Sequence, residues 1–266
     1  MNKKIALVLG SGGARGFCHI GVIEVLLENN IPIDIVTGCS MGALIGAGFA
    51  ARVSSSEMRE IAHTVCNRTV FDIDIRPRNI KRSIQAGGLA RGNRAMRLFK
   101  KYAGTDTQIQ DCKIPFACIA TDLKSHNIHT FKSGDLSTAV RASMSIPGLF
   151  LPVLHENKLL VDGGVLTRTP ITQARDLGAD IIIAVDAVGK PRGISSTSAL
   201  GILDMSYKLM DWRAAGHEGR DADILITPDL GNQSSLSFRN NQRIIEQGRQ
   251  AAIDALPQIR KLLNMN

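Results

Sequence analysis

The sequence predicts an α/β fold: a mostly parallel central sheet with helices on both faces, in three layers. Three observations carry this. Short apolar runs at 4–9, 34–37, 116–121, 158–161, 181–185 and 224–226 show no hydrophobic–polar alternation, as strands covered on both faces do not. Segments of helical periodicity lie between them. Glycine is abundant (25 residues) and aromatics are sparse (4%), which suits tight turns and close helix–strand packing better than an all-β sandwich. At 266 residues and 44% hydrophobic content the chain can bury a large core. It is read as a single domain, 1–266, with a motif-bearing part at 5–170 and an α/β continuation at 171–266.

The elements follow in order. Lys3 and Lys4 precede only five apolar residues before Gly10-Ser11-Gly12-Gly13. That is too short for the hydrophobic region of a signal peptide, so 4–9 reads as a buried first strand. Ile20, Ile23 and Leu27 then recur at helical steps. After the second strand, 41–51 is apolar and rich in Gly and Ala, as expected of a helix packed tightly under a sheet. Residues 69–92 are the loosest part of the chain and contain Gly87-Gly88, which suggests a mobile flap. A short helix is expected at 93–103, a further strand at 127–131, and a helix at 135–145 that stops before Pro147. Helices at 170–177 and 240–263 complete the pattern. No apolar run reaches the length of about 18 residues that spans a bilayer. Five cysteines, an odd number without metal-like spacing, point to a reducing compartment and hence the cytoplasm. No metal or cofactor is expected.

The formal charge of +8 is local. Nine basic residues and no acidic ones lie between Ile75 and Tyr102, leaving 23 basic against 24 acidic residues elsewhere. In the helix at 93–103, Met96, Phe99 and Tyr102 fall on one face, beside Arg94, Arg97, Lys100 and Lys101. A cationic amphipathic helix of this kind suits peripheral contact with an anionic membrane, such as the inner face of the cell membrane. Reversing the charge of Arg94, Arg97 and Lys100 should then weaken binding to anionic vesicles. No nucleic-acid motif accompanies the charge, so no nucleic acid is expected as a partner.

Three short motifs carry candidate chemistry. Gly38-Cys39-Ser40-Met41-Gly42 matches G-x-S-x-G between a strand and a helix, where a serine sits on a strained turn beside an electropositive helix start. Gly10-Ser11-Gly12-Gly13-Ala14-Arg15-Gly16 again joins a strand to a helix, and its successive N–H groups form an anion receptor. Its occupant is either an acyl oxyanion or a dinucleotide pyrophosphate. The dinucleotide pattern fits poorly: its third glycine falls on Arg15, and Asp34 opens the second strand instead of ending it. Asp162-Gly163-Gly164 ends another apolar run and places a carboxylate next to unhindered backbone. In a parallel sheet the C-terminal strand ends share one edge, which would bring all three together. A histidine base in the order serine, acid, histidine could only be His217, in a polar helical stretch. His19 reads as a packing or supporting residue. Arg15 has three readings: it steadies the nest, meets a substrate phosphate, or is solvated. Cys39 reads as packing.

Gly12-Gly13-Ala14-Arg15-Gly16, Gly38-Cys39-Ser40-Met41-Gly42, Ala142-Ser143-Met144-Ser145-Ile146-Pro147 and Asp162-Gly163-Gly164 together resemble the ordered motif set of patatin-like phospholipases. The similarity is closest to compact bacterial members related to the catalytic domain of neuropathy target esterase. It implies a Ser–Asp dyad acting on lipid acyl esters. Ser40 would be the nucleophile and Asp162 its base, while the N–H groups of Gly12, Gly13 and Ala14 would form the oxyanion hole. Gly10, Arg15, Gly16, Gly38, Gly42, Pro147, Gly163 and Gly164 would support the motifs. Ser11 departs from a nest that is often all glycine, but its N–H is expected to stay available. A phospholipid, lysophospholipid or other acyl ester is the implied substrate. Two other readings remain: an anion-binding or regulatory protein on the same fold, and a nucleotide-dependent oxidoreductase.

Overall fold

The computed structural model describes residues 3–74, 76–190, 193, 197–199, 201–202, 205–206, 209, 212 and 221–265. Its strands are β1 Ile5–Leu9, β2 Ile35–Cys39, β3 Gly88–Ala90, β4 Phe116–Asp122, β5 Asn127–Phe131, β6 Gly148–Phe150, β7 Val153–His155, β8 Lys158–Asp162, β9 Ile181–Val185 and β10 Ile224–Ile226. The helices are α1 Cys18–Glu28, α2 Met41–Ala50, α3 Ser55–Thr64, α4 Asn67–Val70, α5 Pro77–Gln85, α6 Asn93–Ala103, α7 Leu136–Ser143, α8 Ile171–Asp176 and α9 Asn241–Leu263. The main sheet runs β10-β9-β1-β2-β4-β8-β7, with β5 against the other edge of β4.

Both faces of the sheet are covered, and this is why its central strands are apolar throughout. In β1, Ala6 and Val8 join Ile171 and Ala174 of α8 in a small cluster on one side. Ile5, Leu7 and Leu9 belong to the large core on the other, with residues of α1, α2 and α9. Helix α1 is buried from Cys18 to Leu26 because it packs along α9 and joins the core that also holds Leu7 and Leu9 of β1. Of the three residues expected to mark its buried face, Leu27 is exposed and Leu26 is buried instead. Glu24 ties three helices together, accepting from Arg59 of α3 and Arg249 of α9.

Strands β10, β9, β1, β2 and β4 are parallel, whereas β8 runs antiparallel to β4. The shared parallel edge expected for Asp162 is therefore not how it reaches the site. Along one side of β4, β2 ends with Cys39 opposite Ile119, and β8 ends with Asp162 opposite Ala120. Two strands approaching each other head-on thus place Asp162 beside the residue that precedes Ser40. The stretch 69–92 contains α5, and β3 within it pairs with β6 in a small parallel sheet. Among the described residues no helix is long and apolar enough to cross a membrane.

Candidate active site

Ser40 sits at the sharp junction of β2 and α2 with φ 55° and ψ −120°, a conformation costly for a residue with a side chain. The junction is tight because α2 presses on the end of β1: a Cβ at Gly42 would lie 2.1 Å from the Leu9 carbonyl oxygen. A Cβ at Gly38 would in turn lie 2.5 Å from the Gly42 carbonyl oxygen. The Ser40 N–H donates to Ser143 Oγ at 2.9 Å, which fixes the strained backbone from α7. Its hydroxyl donates to Asp162 Oδ2 at 2.5 Å, in the range of a charge-assisted O–H···O bond. Both residues are buried.

Asp162 is held from three directions. Its N–H donates to the Ser145 carbonyl at 2.9 Å, and its Oδ1 accepts the Gly164 N–H at 2.8 Å and the Cys39 thiol at 3.8 Å. Cys39 thus touches the carboxylate besides packing. Burial pushes the Asp162 carboxyl up to about 6, against the pull of the bonds from Ser40, Gly164 and Cys39. At neutral pH it remains mainly ionised but is a stronger base than an ordinary carboxylate.

The glycine nest is narrower than expected. Ser11 N–H donates to the Arg168 carbonyl at 3.0 Å and Ala14 N–H to the Ser235 carbonyl at 2.7 Å. Neither is open to a ligand, which corrects the readings of Ser11 and Ala14. The N–H groups of Gly12 and Gly13 have no partner among the described residues. Gly10 N–H bonds the Val185 carbonyl, and its own carbonyl meets His19 Nε2 at 2.8 Å. A carbonyl only accepts, so Nε2 carries the proton, and burial pushes the imidazole down to about 4. His19 is a neutral positioning residue.

Arg15 resolves in favour of steadying the nest. It is buried, and its guanidinium donates to the carbonyls of Ala187 and Val188 (2.8 Å each), Gly231 (3.2 Å) and Gln233 (3.1 Å). Those main-chain bonds turn its guanidinium away from solvent. Gly16 lies against Met41, joining nest and nucleophile helix. Pro147 is exposed beyond α7. Ser143, Ser145 and Arg141 are the supports that sequence reasoning did not single out, although the serines lie in a quoted motif. Arg141 donates to Ser145 Oγ at 2.6 Å and to the Leu151 carbonyl at 3.0 Å. Among the described residues no histidine hydrogen-bonds Ser40 or Asp162; His217 lies outside them.

Ser40 and Gly13 line one small cavity of about 20 Å3 together with Phe71 and Phe150. Met41, Val70, Met144 and Phe238 line both this space and a second cavity of about 90 Å3, whose walls include Leu44, Ile45, Val53 and Phe99. The second wall is almost wholly apolar.

Residues 7–175 match the family model described as patatin-like phospholipase. The chain belongs to that family. It is 36% identical over 230 residues to an uncharacterized NTE family protein of Mycobacterium tuberculosis, covering 79% of this chain and 61% of that one. It is 35% identical over 189 residues to lysophospholipase NTE1 of Chaetomium globosum, covering 69% of this chain but 12% of that one. The match thus spans less than two thirds of either relative. Among solved structures, VipD from Legionella pneumophila superposes with a TM-score of 0.55 at 13% identity, over 97% of this chain and 67% of that one. Human GIVD cytosolic phospholipase A2 does so with 0.52 at 9%, over 98% and 59%. These two establish likeness of fold. The family is one of lipid hydrolases.

Proposed function

We infer that this chain acts as one domain that hydrolyses lipid acyl esters through a Ser40–Asp162 dyad. The observation that carries the reading is the 2.5 Å bond between the Ser40 hydroxyl and a buried carboxylate, beside a nest with two open N–H groups. As Ser40 Oγ bonds to the ester carbonyl carbon, its proton passes to Asp162 Oδ2. The oxyanion so formed turns to the Gly12 and Gly13 N–H groups. Collapse breaks the ester bond, and the leaving alcohol takes the proton from Asp162. Water then attacks the acyl-enzyme, giving its proton to Asp162, and release of the fatty acid returns that proton to Ser40. A carboxylate is a weak base for a hydroxyl, so the oxyanion donors carry much of the barrier; removing one such donor costs about 3–4 kcal/mol. The elevated Asp162 pKa narrows the mismatch from the other side.

The apolar cavity behind Met41 and Met144 supports a long acyl chain over a small ester, since unbranched methionines can rotate to admit it. The test compares wild type, Ser40→Ala and Asp162→Asn for fatty-acid release from lysophospholipid and phospholipid. Loss in both variants supports the dyad, and full activity of Asp162→Asn refutes it. The non-catalytic alternative, an anion-binding or regulatory protein, would show itself by failure of wild type to label with a fluorophosphonate.

A further inference from the structure

The basic stretch does not form one flat face. Arg76, Arg82, Arg91, Arg94 and Arg97 line an open cleft of about 830 Å3. Five of the six arginines of the stretch line it, all but Arg78, whereas none of Lys81, Lys100 and Lys101 does. A solubilising surface has no reason to sort the two residue types, whereas the planar guanidinium fork matches a phosphate group.

Both carboxylates of the cleft are hydrogen-bonded within the protein, and five guanidinium groups outnumber them. Asp72 accepts the N–H groups of Arg91, Gly92 and Asn93 at 2.9, 2.7 and 2.8 Å. Asp74 takes the Arg76 guanidinium and the Asn79 amide. Among the described residues, Arg82, Arg91 and Arg97 have no carboxylate partner, and Arg94 reaches only the Arg68 carbonyl. Like charges around a concave surface concentrate a field that an anion would relieve, and the volume lies in the range of small-molecule sites, about 300–1,000 Å3.

The cleft also backs onto the Ser40 cavity. Phe71 and Phe150, packed at 5.7 Å, line that cavity, while their chain neighbours Asp72 and Leu151 line the cleft. We propose that this cleft is a phosphate-binding site. Its ligand is a phosphate ester, carried either by a lipid headgroup or by a soluble molecule. The lipid source would hold a headgroup one side-chain layer from the nucleophile; that advantage, unlike the binding itself, rests on the hydrolase reading.

The experiment uses the full chain carrying Ser40→Ala, so that no lipid is consumed and failure of the dyad cannot affect the readout. In one arm, cosedimentation measures binding to phosphatidylcholine vesicles with and without phosphatidic acid. In the other, calorimetry measures binding of glycerol 3-phosphate. Replacing Arg82, Arg94 and Arg97 by alanine should weaken phosphate-dependent binding roughly 100-fold in whichever arm shows it. Replacing Lys81, Lys100 and Lys101 removes the same charge outside the cleft and should leave most of the binding. Circular dichroism monitors folding of each. Binding confined to the vesicle arm identifies a headgroup, and binding in the soluble arm alone a free phosphate ester. Equal losses from the two triple variants, or no phosphate-dependent binding in either arm, would overturn the proposal.

Discussion

Cys39 and Asp162 stand opposite consecutive residues of a single strand, Ile119 and Ala120 of β4. The distance between Ser40 and its carboxylate partner is therefore set by main-chain register and not by two side chains searching for each other. Backbone hydrogen bonds of three strands hold it. Such a frame is stiff and fixes the Ser40–Asp162 bond in advance of any ligand.

Gly163 tests that frame. A Cβ there would lie 2.7 Å from both the Ile119 carbonyl oxygen and its Cγ1, and 3.1 Å from Cys39 Sγ. A backbone oxygen in a central strand cannot move aside, so Gly163→Ala should push the end of β8 away from β4. We expect a stability loss of about 1–3 kcal/mol in thermal or urea unfolding. The kcat should fall by on the order of 100-fold, the penalty of a misplacement near 1 Å. A variant with wild-type kcat would show that the register is not what places Asp162.

Much of this was legible in the sequence, and the reasons differ by element. Strands β1 and β9 are readable because both their faces are buried, which leaves uninterrupted apolar runs. Strands β3, β6 and β7 have three residues each, too few for any period. Helix α5 escaped because it carries its helical signal only in Ile80 and Ile84 among basic residues. Ser40 and Asp162 were singled out from local motifs, but the direction of β8 was not legible, since strand polarity depends on a pairing partner some 40 residues away. Arg15 was ambiguous because its carbonyl partners at 187–188 and 231–233 are distant in sequence.

Ser143 should matter for rate more than for binding. Its hydroxyl accepts the Ser40 N–H, and Ser143→Ala leaves that buried donor unpaired, at a cost of about 1–3 kcal/mol. Ser40 would relax from its strained dihedrals and lose alignment with the ester. The expected result is a kcat lowered by roughly tenfold to a hundredfold with KM little changed. Ser143→Thr, which keeps the acceptor, should recover part of the rate. Equal kcat in wild type and Ser143→Ala would assign the hydroxyl to packing.

The acid limb of activity should report Asp162. Its carboxyl titrates at about 6 in the fold, and protonation removes the base. A plot of log kcat/KM against pH should therefore bend near 6 and fall with unit slope below it. A limb near the ordinary carboxylate value would mean that another group controls the rate.

The same carboxyl should reveal itself in stability, with the opposite sign from a salt-bridged acid. The unfolded chain releases this proton near 4 and the folded chain near 6, so between those values the native state holds a proton that the unfolded state has lost. Asp162 thus withdraws stability as pH rises through that window, by roughly 3 kcal/mol in full. His19 acts in reverse: its folded value of about 4 lies below 6.5, so it withdraws stability as pH falls from 6.5 to 4. Asp162→Asn should be inactive yet more stable than wild type at neutral pH. The difference in unfolding free energy should shrink to nothing by about pH 4. A variant less stable than wild type at neutral pH would contradict the burial argument.

Arg15 should govern the nest without touching substrate. Its guanidinium bridges the carbonyls of 187–188 and 231–233, and the latter loop continues to Ser235, whose carbonyl takes the Ala14 N–H. Lysine keeps the charge but offers no planar fork, so Arg15→Lys can satisfy only some of the four acceptors. The unmet carbonyls should loosen both loops, and Gly12 and Gly13 would lose their fixed aim at the oxyanion. Amide hydrogen exchange at 187–189 and 231–236 should quicken, and fluorophosphonate labelling of Ser40 should slow, while KM stays near wild type. Unchanged exchange together with slowed labelling would place the effect of Arg15 on the chemistry itself and not on the loops it joins.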